Sequence, residues 1–283
     1  MPIIPTVFRP IRSNDFQRRA FKAYKNYRIT SVAFTTSSGH IHHNAIYQKF
    51  KSYYQVFTYD LDNSKCNSTQ DKVYSCDIVF LCLPTPMNEN GSCHTDIIEN
   101  VISNLKCKIA VIKSTIIPGT TDRLNEKYSD ISIIHNPEFL TERNAVEDFK
   151  NQNRIILGGP RPATTKLKQI YSKVFPKAVI VKTGAKHAEM VKYFTNSFLA
   201  AKVSFANEMY QICDALDLDY DKVVEYATYD ERLGKSHWSV PGPDGDFGYG
   251  GICFPKDIKA LIKVAESLSI HPTVLISTNT KND

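Results

Sequence analysis

The stretch GYGGICFPKD, residues 248–257, places one thiol, Cys253, after three glycines and before a proline, a lysine and an aspartate. Glycines allow a backbone to lie close to a ligand, and Pro255 stiffens the segment that follows. The charges of Lys256 and Asp257 beside the thiol could tune its ionisation, as a nucleophilic cysteine requires. A buried structural cysteine next to a turn explains the ten residues equally well. The pattern alone leaves both interpretations open.

A second polar pair, Lys192 and Asn196, lies within residues 185–218, a run that contains no proline or glycine. A spacing of four residues places both side chains on one face of a helix. The run predicts one helix of about 45 Å. Its apolar residues occupy more than one side, which indicates burial between lobes or between subunits. Taken alone, the lysine and the asparagine are also typical of an ordinary helix surface.

Apolar runs of strand length alternate with helical patterns up to about residue 185. The strand-like runs are residues 29–34, 55–60, 77–84, 108–115, 131–136 and 154–159, and the helical patterns include residues 42–53, 96–105, 119–128, 220–229 and 256–269. This alternation predicts an α/β fold, a Rossmann-like doubly wound parallel sheet covered on both faces. Such sheets bind ligands at the carboxyl ends of their strands. We expect a basic N-terminal arm (1–27), a Rossmann-like NAD-binding domain (28–185) and a small helical domain with the long helix (186–283).

The composition indicates a soluble globular chain, with 42% hydrophobic and 23% charged residues. Seven cysteines show no C-x-x-C spacing, so we expect no metal site and no disulfide framework. No apolar run approaches the length of a membrane span, and the N-terminus lacks the form of a signal peptide. We therefore expect a cytoplasmic protein without a membrane partner.

The net charge of +6 is concentrated in residues 1–28, which hold seven basic residues and one acidic residue, whereas the rest of the chain is neutral overall. A neutral body disfavours nucleic acid as a partner. The arm either packs across its own domain or binds an acidic surface.

Five blocks of sequence resemble the UDP-glucose/GDP-mannose dehydrogenase family, in the family's order. They are LCLPTPMNENG (81–91), VIKSTIIPGTTDRL (111–124), HNPEFLTERNAVEDFKNQNRIILGG (135–159), AEMVKYFTNSFLAAKVSFANE (188–208) and GYGGICFPKDIKAL (248–261). The resemblance covers roughly residues 54–275, and Phe254 after the cysteine favours the UDP-glucose branch. It implies an enzyme that uses two NAD to oxidise C6 of UDP-glucose to the carboxylate of UDP-glucuronate. The intermediates that the resemblance implies are a thiohemiacetal and a thioester on Cys253.

The resemblance also implies roles for individual residues. Catalytic roles fall to Cys253, Lys192, Asn196, Asp257, Glu138 and Thr115; cofactor contacts to Gly39, Asp60, Pro84, Thr85, Thr115, Glu142 and Lys256; and substrate contacts to Phe139, Leu140, Lys192, Asn196, Arg232, Tyr249 and Gly250. Lys192 and Asn196 are expected to stabilise the oxyanion, and Asp257 to hold water and orient Lys192. Glu138 is the expected base for thioester hydrolysis. Arg232 is expected to reach the substrate of a neighbouring subunit in a homodimer built on helix 186–216.

Two features depart from the family. The region AFTTSSGHIHH has only Gly39 where the family has G-x-G-x-x-G, which predicts weaker binding of the cofactor diphosphate. Asp60 is still placed to accept ribose hydroxyls, which favours NAD over NADP. Family members also continue into a uridine-diphosphate-binding domain beyond the point where this chain stops, which predicts a short form. A catalytically impaired relative that acts as a binding protein, and a hydroxyacid dehydrogenase that needs no thiol, are the alternatives.

Overall fold

A computed structural model describes residues 31–36, 42–141 and 144–283 of the chain. The predicted arm (1–27) and two predicted cofactor contacts, Gly39 and Glu142, lie outside these residues.

Seven strands form one sheet in the order β2-β1-β3-β4-β5-β6-β7. The strands are β1 (Ser31–Thr36), β2 (Gln55–Asp60), β3 (Ile78–Cys82), β4 (Ile109–Ile112), β5 (Ser132–His135), β6 (Arg154–Gly158) and β7 (Val179–Thr183). Strands β1 to β5 are parallel. Strand β6 pairs antiparallel with β5 through a single residue pair, His135 with Gly158, and β7 is parallel to β6.

The predicted Rossmann-like α/β fold class is therefore confirmed. The prediction that all strands of the sheet are parallel is wrong for β6 and β7, which run opposite to the other five. The connection from β5 contains only a short helix and brings the chain back along the sheet, so β6 runs in the opposite direction. Edge strand β7 was not predicted. Val179 and Val181 are exposed on it.

Ten α-helices are described besides two short 3₁₀ turns at Asn63–Lys65 and Glu231–Leu233. They are α1 (His42–Phe50), α2 (Gln70–Tyr74), α3 (Asp96–Ser103), α4 (Thr120–Lys127), α5 (Ala145–Lys150), α6 (Arg161–Val174), α7 (Ala185–Ala215), α8 (Tyr220–Ala227), α9 (Phe254–Ser267) and α10 (Thr273–Asn282). The predicted long helix is present as α7, and α9 and α10 pack against it. Within the described part of the chain, no helix is both long and apolar enough to cross a membrane.

The core has one layer on each face of the sheet. Along β3, Ile78 and Phe80 point into one layer, whereas Val79 and Leu81 point into the other. This alternation follows from the two-residue period of a strand. Because both faces are covered by helices, the central strands are apolar throughout and their ends are left to carry polar residues.

Helix α7 is fixed to the sheet by two close contacts near its first turn. A Cβ on Gly158 of β6 would lie 2.4 Å from the Cβ of Ala188, so only glycine allows this approach. Glu189 accepts hydrogen bonds from the backbone N–H groups of Gly119 (2.6 Å) and Thr121 (2.8 Å) at the start of α4. Those N–H groups have no partner inside α4, so α7 supplies its N-terminal cap.

We predict that Gly158→Ala destabilises the protein by about 1–3 kcal/mol, because the added methyl group overpacks the contact between β6 and α7. Urea unfolding followed by circular dichroism measures the loss. The double variant Gly158→Ala/Ala188→Gly removes the clashing Cβ and should recover part of it, since the two positions are coupled. Equal losses in the single and double variants would contradict the steric explanation.

His135, at the end of β5, generates a prediction about acid stability. It is fully buried, and its Nε2–H donates to the Ser114 carbonyl at 3.2 Å. Burial lowers the pKa of His135 to about 3 from the usual 6.5. Below pH 6.5 the unfolded chain therefore binds a proton that the folded chain does not bind. The stability from this group is complete above pH 6.5 and falls with the pH, by about 2 kcal/mol at pH 5.

His135→Gln cannot titrate, so its unfolding free energy should change less between pH 7.5 and pH 5 than that of the wild type. Urea unfolding at both pH values measures the difference. Identical pH dependence in the two proteins would show that His135 titrates normally.

Candidate active site

The carboxyl ends of β3 and β4 are joined by one serine. Ser114 Oγ donates to the Leu83 carbonyl at 2.6 Å and accepts from the Leu83 N–H at 3.2 Å. Thr85, which is buried, and Thr115, which is half-buried, follow these strand ends directly. Pro84 lies between Leu83 and Thr85, so three predicted cofactor contacts lie at one edge of the sheet.

Asp60 ends β2 at the same edge, in register with Thr36 at the end of β1. Its side chain is buried, and Oδ1 accepts from the Asp62 N–H at 2.7 Å. A fixed carboxylate at the end of the second strand fits the ribose hydroxyls of NAD. Its part in binding stays a prediction, because the turn after β1 lies outside the described residues.

Cys253 lies at the N-terminus of α9, with Pro255 in the first turn of that helix, and is exposed. The positive end of the helix dipole favours the thiolate form of a cysteine at this place. The loop before Cys253 contacts both α7 and α10. The N–H of Gly248 donates to Asn207 Oδ1 of α7. Gly248 has φ +76°, and a Cβ at this position would lie 2.7 Å from Asn282 Oδ1 of α10. Gly248 thus joins the loop that precedes Cys253 to α7 and α10.

Asp257 occupies the first turn of the same helix and is buried. Its Oδ2 accepts from Asn196 Nδ2 at 2.6 Å, and its Oδ1 accepts from Lys256 Nζ at 2.5 Å. Lys256, predicted as a cofactor contact, is thus ion-paired with Asp257 in this structure. The contact between Asn196 and Asp257 joins α7 to α9 beside Cys253.

Lys192 lies one turn before Asn196 on α7, and its Nζ donates to the Glu138 carbonyl at 2.6 Å. Burial lowers the pKa of Lys192, and the negative charges of Asp257, Cys253 and Glu138 oppose that shift. The groups whose negative charge acts on the Lys192 ammonium are thus the acids and the thiol of the predicted site. Lys192 bonds to the Glu138 backbone and Asn196 bonds to Asp257. Their joint role as donors to one substrate oxygen stays a prediction.

Glu138, Phe139 and Leu140 follow β5. The Arg154 guanidinium lies 4.1 Å from the centroid of the Phe139 ring, and Lys192 Nζ lies 5.8 Å from it. Leu140 packs against the core, which anchors this segment. Glu138 is mostly buried, with Oε1 3.4 Å from Lys113 Nζ.

Two predicted substrate contacts lie apart from this cluster. The Arg232 side chain is 89% exposed and pairs with Asp230. The Tyr249 side chain is buried against Ala200 and Ile258, so it supports the loop from inside. Gly250 is exposed on the same loop.

Sequence reasoning missed Lys113, Asn136 and Cys93. Lys113 follows the four fully buried residues of β4 and is itself buried. Cys93 lies close to a predicted site residue, since its Sγ donates to the Thr115 carbonyl at 3.6 Å. The sequence signal for Lys113 was its position directly after the apolar strand residues 109–112, where a buried charge can be placed at the carboxyl edge of the sheet. Among residues 31–36, 42–141 and 144–283, no group of three His, Cys, Asp or Glu residues is arranged to hold a metal ion.

Two family models match the chain. Residues 54–175 match the NAD binding domain of the UDP-glucose/GDP-mannose dehydrogenase family, and residues 186–283 match the central domain of that family. The first match confirms NAD as the predicted cofactor.

Curated relatives and solved structures agree with these matches. The chain is 33% identical over 250 residues to a UDP-glucose 6-dehydrogenase of Haloferax volcanii, covering 81% of this chain and 57% of that protein. It is 33% identical over 232 residues to a UDP-glucose 6-dehydrogenase of Pseudomonas aeruginosa, covering 76% and 50%. It therefore spans about half the length of the curated relatives it matches.

Among solved structures, a UDP-glucose dehydrogenase from the hyperthermophilic archaeon Pyrobaculum islandicum superposes with a TM-score of 0.78 at 26% identity, covering 91% of this chain and 69% of that one. A UDP-D-ManNAc dehydrogenase from Pyrococcus horikoshii, at 20% identity and a TM-score of 0.72, shares the fold. With both family domains matched in order, this chain belongs to the UDP-glucose/GDP-mannose dehydrogenase family.

Proposed function

We propose that this chain carries the catalytic centre of an NAD-dependent dehydrogenase that oxidises the C6 alcohol of UDP-glucose to the carboxylate. The observation that carries the proposal is the arrangement of Cys253 at a helix N-terminus with Lys192, Asn196, Asp257 and Glu138 around it. These residues come from three separate parts of the chain. A structural cysteine would not explain why buried charges converge on an exposed thiol.

Asp60, Thr85 and Thr115 would hold NAD at the carboxyl edge of the sheet, and two NAD molecules bound there in turn would each accept one hydride. The remaining chemistry belongs to the protein. An ammonium has three N–H donors, so Lys192 can keep its bond to the Glu138 carbonyl and donate also to the sugar oxygen. It thereby stabilises negative charge on that oxygen as it develops.

Cys253 supplies the nucleophile. Its sulfur bonds to the aldehyde carbon that the first oxidation produces, and the carbonyl oxygen takes the negative charge beside Lys192. The thiohemiacetal then has a C–H bond that can be oxidised to a thioester. Asn196 and Lys256 hold Asp257 next to this centre, so its carboxylate is positioned to bind water.

Hydrolysis of the thioester completes the reaction. Glu138 takes a proton from water, the water oxygen bonds to the acyl carbon, and the C–S bond breaks to regenerate the Cys253 thiolate. The names of the relatives, UDP-glucose 6-dehydrogenases, favour UDP-glucose as the sugar nucleotide.

The exposed face of α7 supports a homodimer. Its large exposed apolar residues follow one stripe along the helix: Met190, Phe194, Phe198, Phe205 and Ile212. A specific dimer buries about 800 Å² per partner, and a helix of this length can supply that area. A two-fold axis places the same stripe on both subunits and can bring Arg232 towards the partner's site.

The oxidation should yield two NADH per carboxylate formed, and Cys253→Ser should lower carboxylate formation on the order of 100-fold or more, because serine is the weaker nucleophile. Absorbance at 340 nm, with chromatography of the nucleotide sugars, measures both quantities. Cys76→Ser is the control for loss of a thiol at the opposite end of β3 from the site, where a serine can keep the bond to the Lys72 carbonyl, and it should keep full activity. Unchanged carboxylate formation by Cys253→Ser would refute the thioester mechanism.

Arg232→Ala should raise KM for the sugar nucleotide by roughly tenfold, about 1.4 kcal/mol of binding, while the dimer persists. Lys235→Ala removes an exposed positive charge three residues away and should leave KM unchanged. Steady-state kinetics and light scattering measure the two effects. A fully active monomer at micromolar concentration would refute the role of the partner's arginine.

A further inference from the structure

A lysine is buried beneath the proposed catalytic base. The Lys113 side chain is 4% exposed and follows β4 at the carboxyl edge of the sheet. Burying an ammonium is unfavourable unless charged and polar partners compensate for the lost water. The partners of Lys113 therefore indicate what the residue does.

Those partners are Asn136 and Glu138. Lys113 Nζ donates to Asn136 Oδ1 at 2.8 Å and lies 3.4 Å from Glu138 Oε1. Asn136 Oδ1 also accepts from the Tyr171 hydroxyl at 2.5 Å, and Asn136 Nδ2 donates to the Ile156 carbonyl at 2.9 Å. The ammonium is thus held on a rigid polar network that joins β4, β6 and α6.

Glu138 is consequently held from two sides. Lys113 attracts its carboxylate from inside the protein, whereas Lys192 binds its backbone carbonyl from the side of Cys253. Two lysines that reach the same residue through different atoms fix both its backbone and its side chain. Burial lowers the pKa of Lys113, and the nearby Glu138 and Cys82 oppose that shift.

We propose that Lys113 is a positioning residue that holds the Glu138 carboxylate ready for hydrolysis of the thioester. The inference rests on the proposed function. In the step concerned, the water oxygen bonds to the acyl carbon, the water proton passes to Glu138, and the C–S bond breaks with its electron pair on Cys253. Lys113 touches neither water nor substrate and acts through the orientation of Glu138.

Lys113→Met keeps an unbranched side chain that is one heavy atom shorter, and it removes the charged ammonium. Both hydride transfers precede hydrolysis, so this variant should release about two NADH per site in a burst and then turn over roughly 10–100-fold more slowly than the wild type. The first-turnover rate should stay within about threefold of the wild-type rate. Stopped-flow absorbance measures both phases, and intact mass should show a sugar-nucleotide acyl adduct that hydroxylamine removes.

Three further variants separate positioning from a structural role. Glu138→Gln should show the same burst, and Lys113→Met/Glu138→Gln should be no slower than Glu138→Gln alone, because Lys113 acts through Glu138. Lys108→Met, an exposed lysine before β4, should behave as the wild type. Lys113→Gln keeps a donor for Asn136 and takes the place of Lys113→Met if the methionine variant does not fold.

Equal slowing of the burst and of the steady state in Lys113→Met would overturn the proposal, as would additive losses in the double variant. A crystal structure of the Lys113 variant gives a test that does not depend on turnover. Glu138 displaced from its wild-type position supports the proposal, and an unmoved Glu138 carboxylate overturns it. Failure of the proposed function is distinct, since the wild type itself would then form no NADH with UDP-glucose.

Discussion

The site depends on how one face of α7 is seated on the carboxyl edge of the sheet. Ala188, Lys192 and Asn196 occupy successive turns on this face, and Glu189 lies next to Ala188. Ala188 meets Gly158 of β6, Glu189 caps α4, Lys192 bonds to the segment after β5, and Asn196 bonds to α9. A shift of the helix by a fraction of a turn would break all four contacts together. The same packing therefore fixes both the fold and the distance between Lys192 and the thiol.

The seating of α7 buries the carboxyl group of Glu189, which disfavours its charged form. Its side chain is fully buried, and burial raises the pKa of its carboxyl group. The N–H groups of Gly119 and Thr121 counter that effect, because a carboxylate that accepts two backbone hydrogen bonds at a helix N-terminus is stabilised in its charged form. Gly119 itself has φ +101°, a conformation that favours glycine. Helix α7 and the N-terminus of α4 thus satisfy each other's polar groups. Without the other, each would leave buried polar groups without a partner.

Much of this could be predicted from the sequence, because the patterns concerned are local. The run of residues 185–218 without glycine or proline gave α7 to within a few residues, and the alternation of apolar strands with helices gave the fold class. The direction of β6 could not be predicted, since it follows from a tertiary connection and not from the composition of the strand. The motif around Cys253 and the family resemblance predict a set of site residues. They could not show that Asn196 binds Asp257 while Lys192 binds the Glu138 backbone, because those partners are 61 and 54 residues away.

Lys113 was missed for the same reason, and it changes the charge balance of the site. Lys113, Lys192 and Lys256 face two carboxylates, Glu138 and Asp257, so the group carries one excess positive charge when all five are ionised. In a partly buried site this excess is only weakly screened. A thiolate at Cys253 would neutralise it, and so would the oxyanion that forms once the sulfur has bonded to carbon. The buried lysines and the helix N-terminus therefore act in the same direction, since both favour negative charge at the place where the proposed reaction develops it.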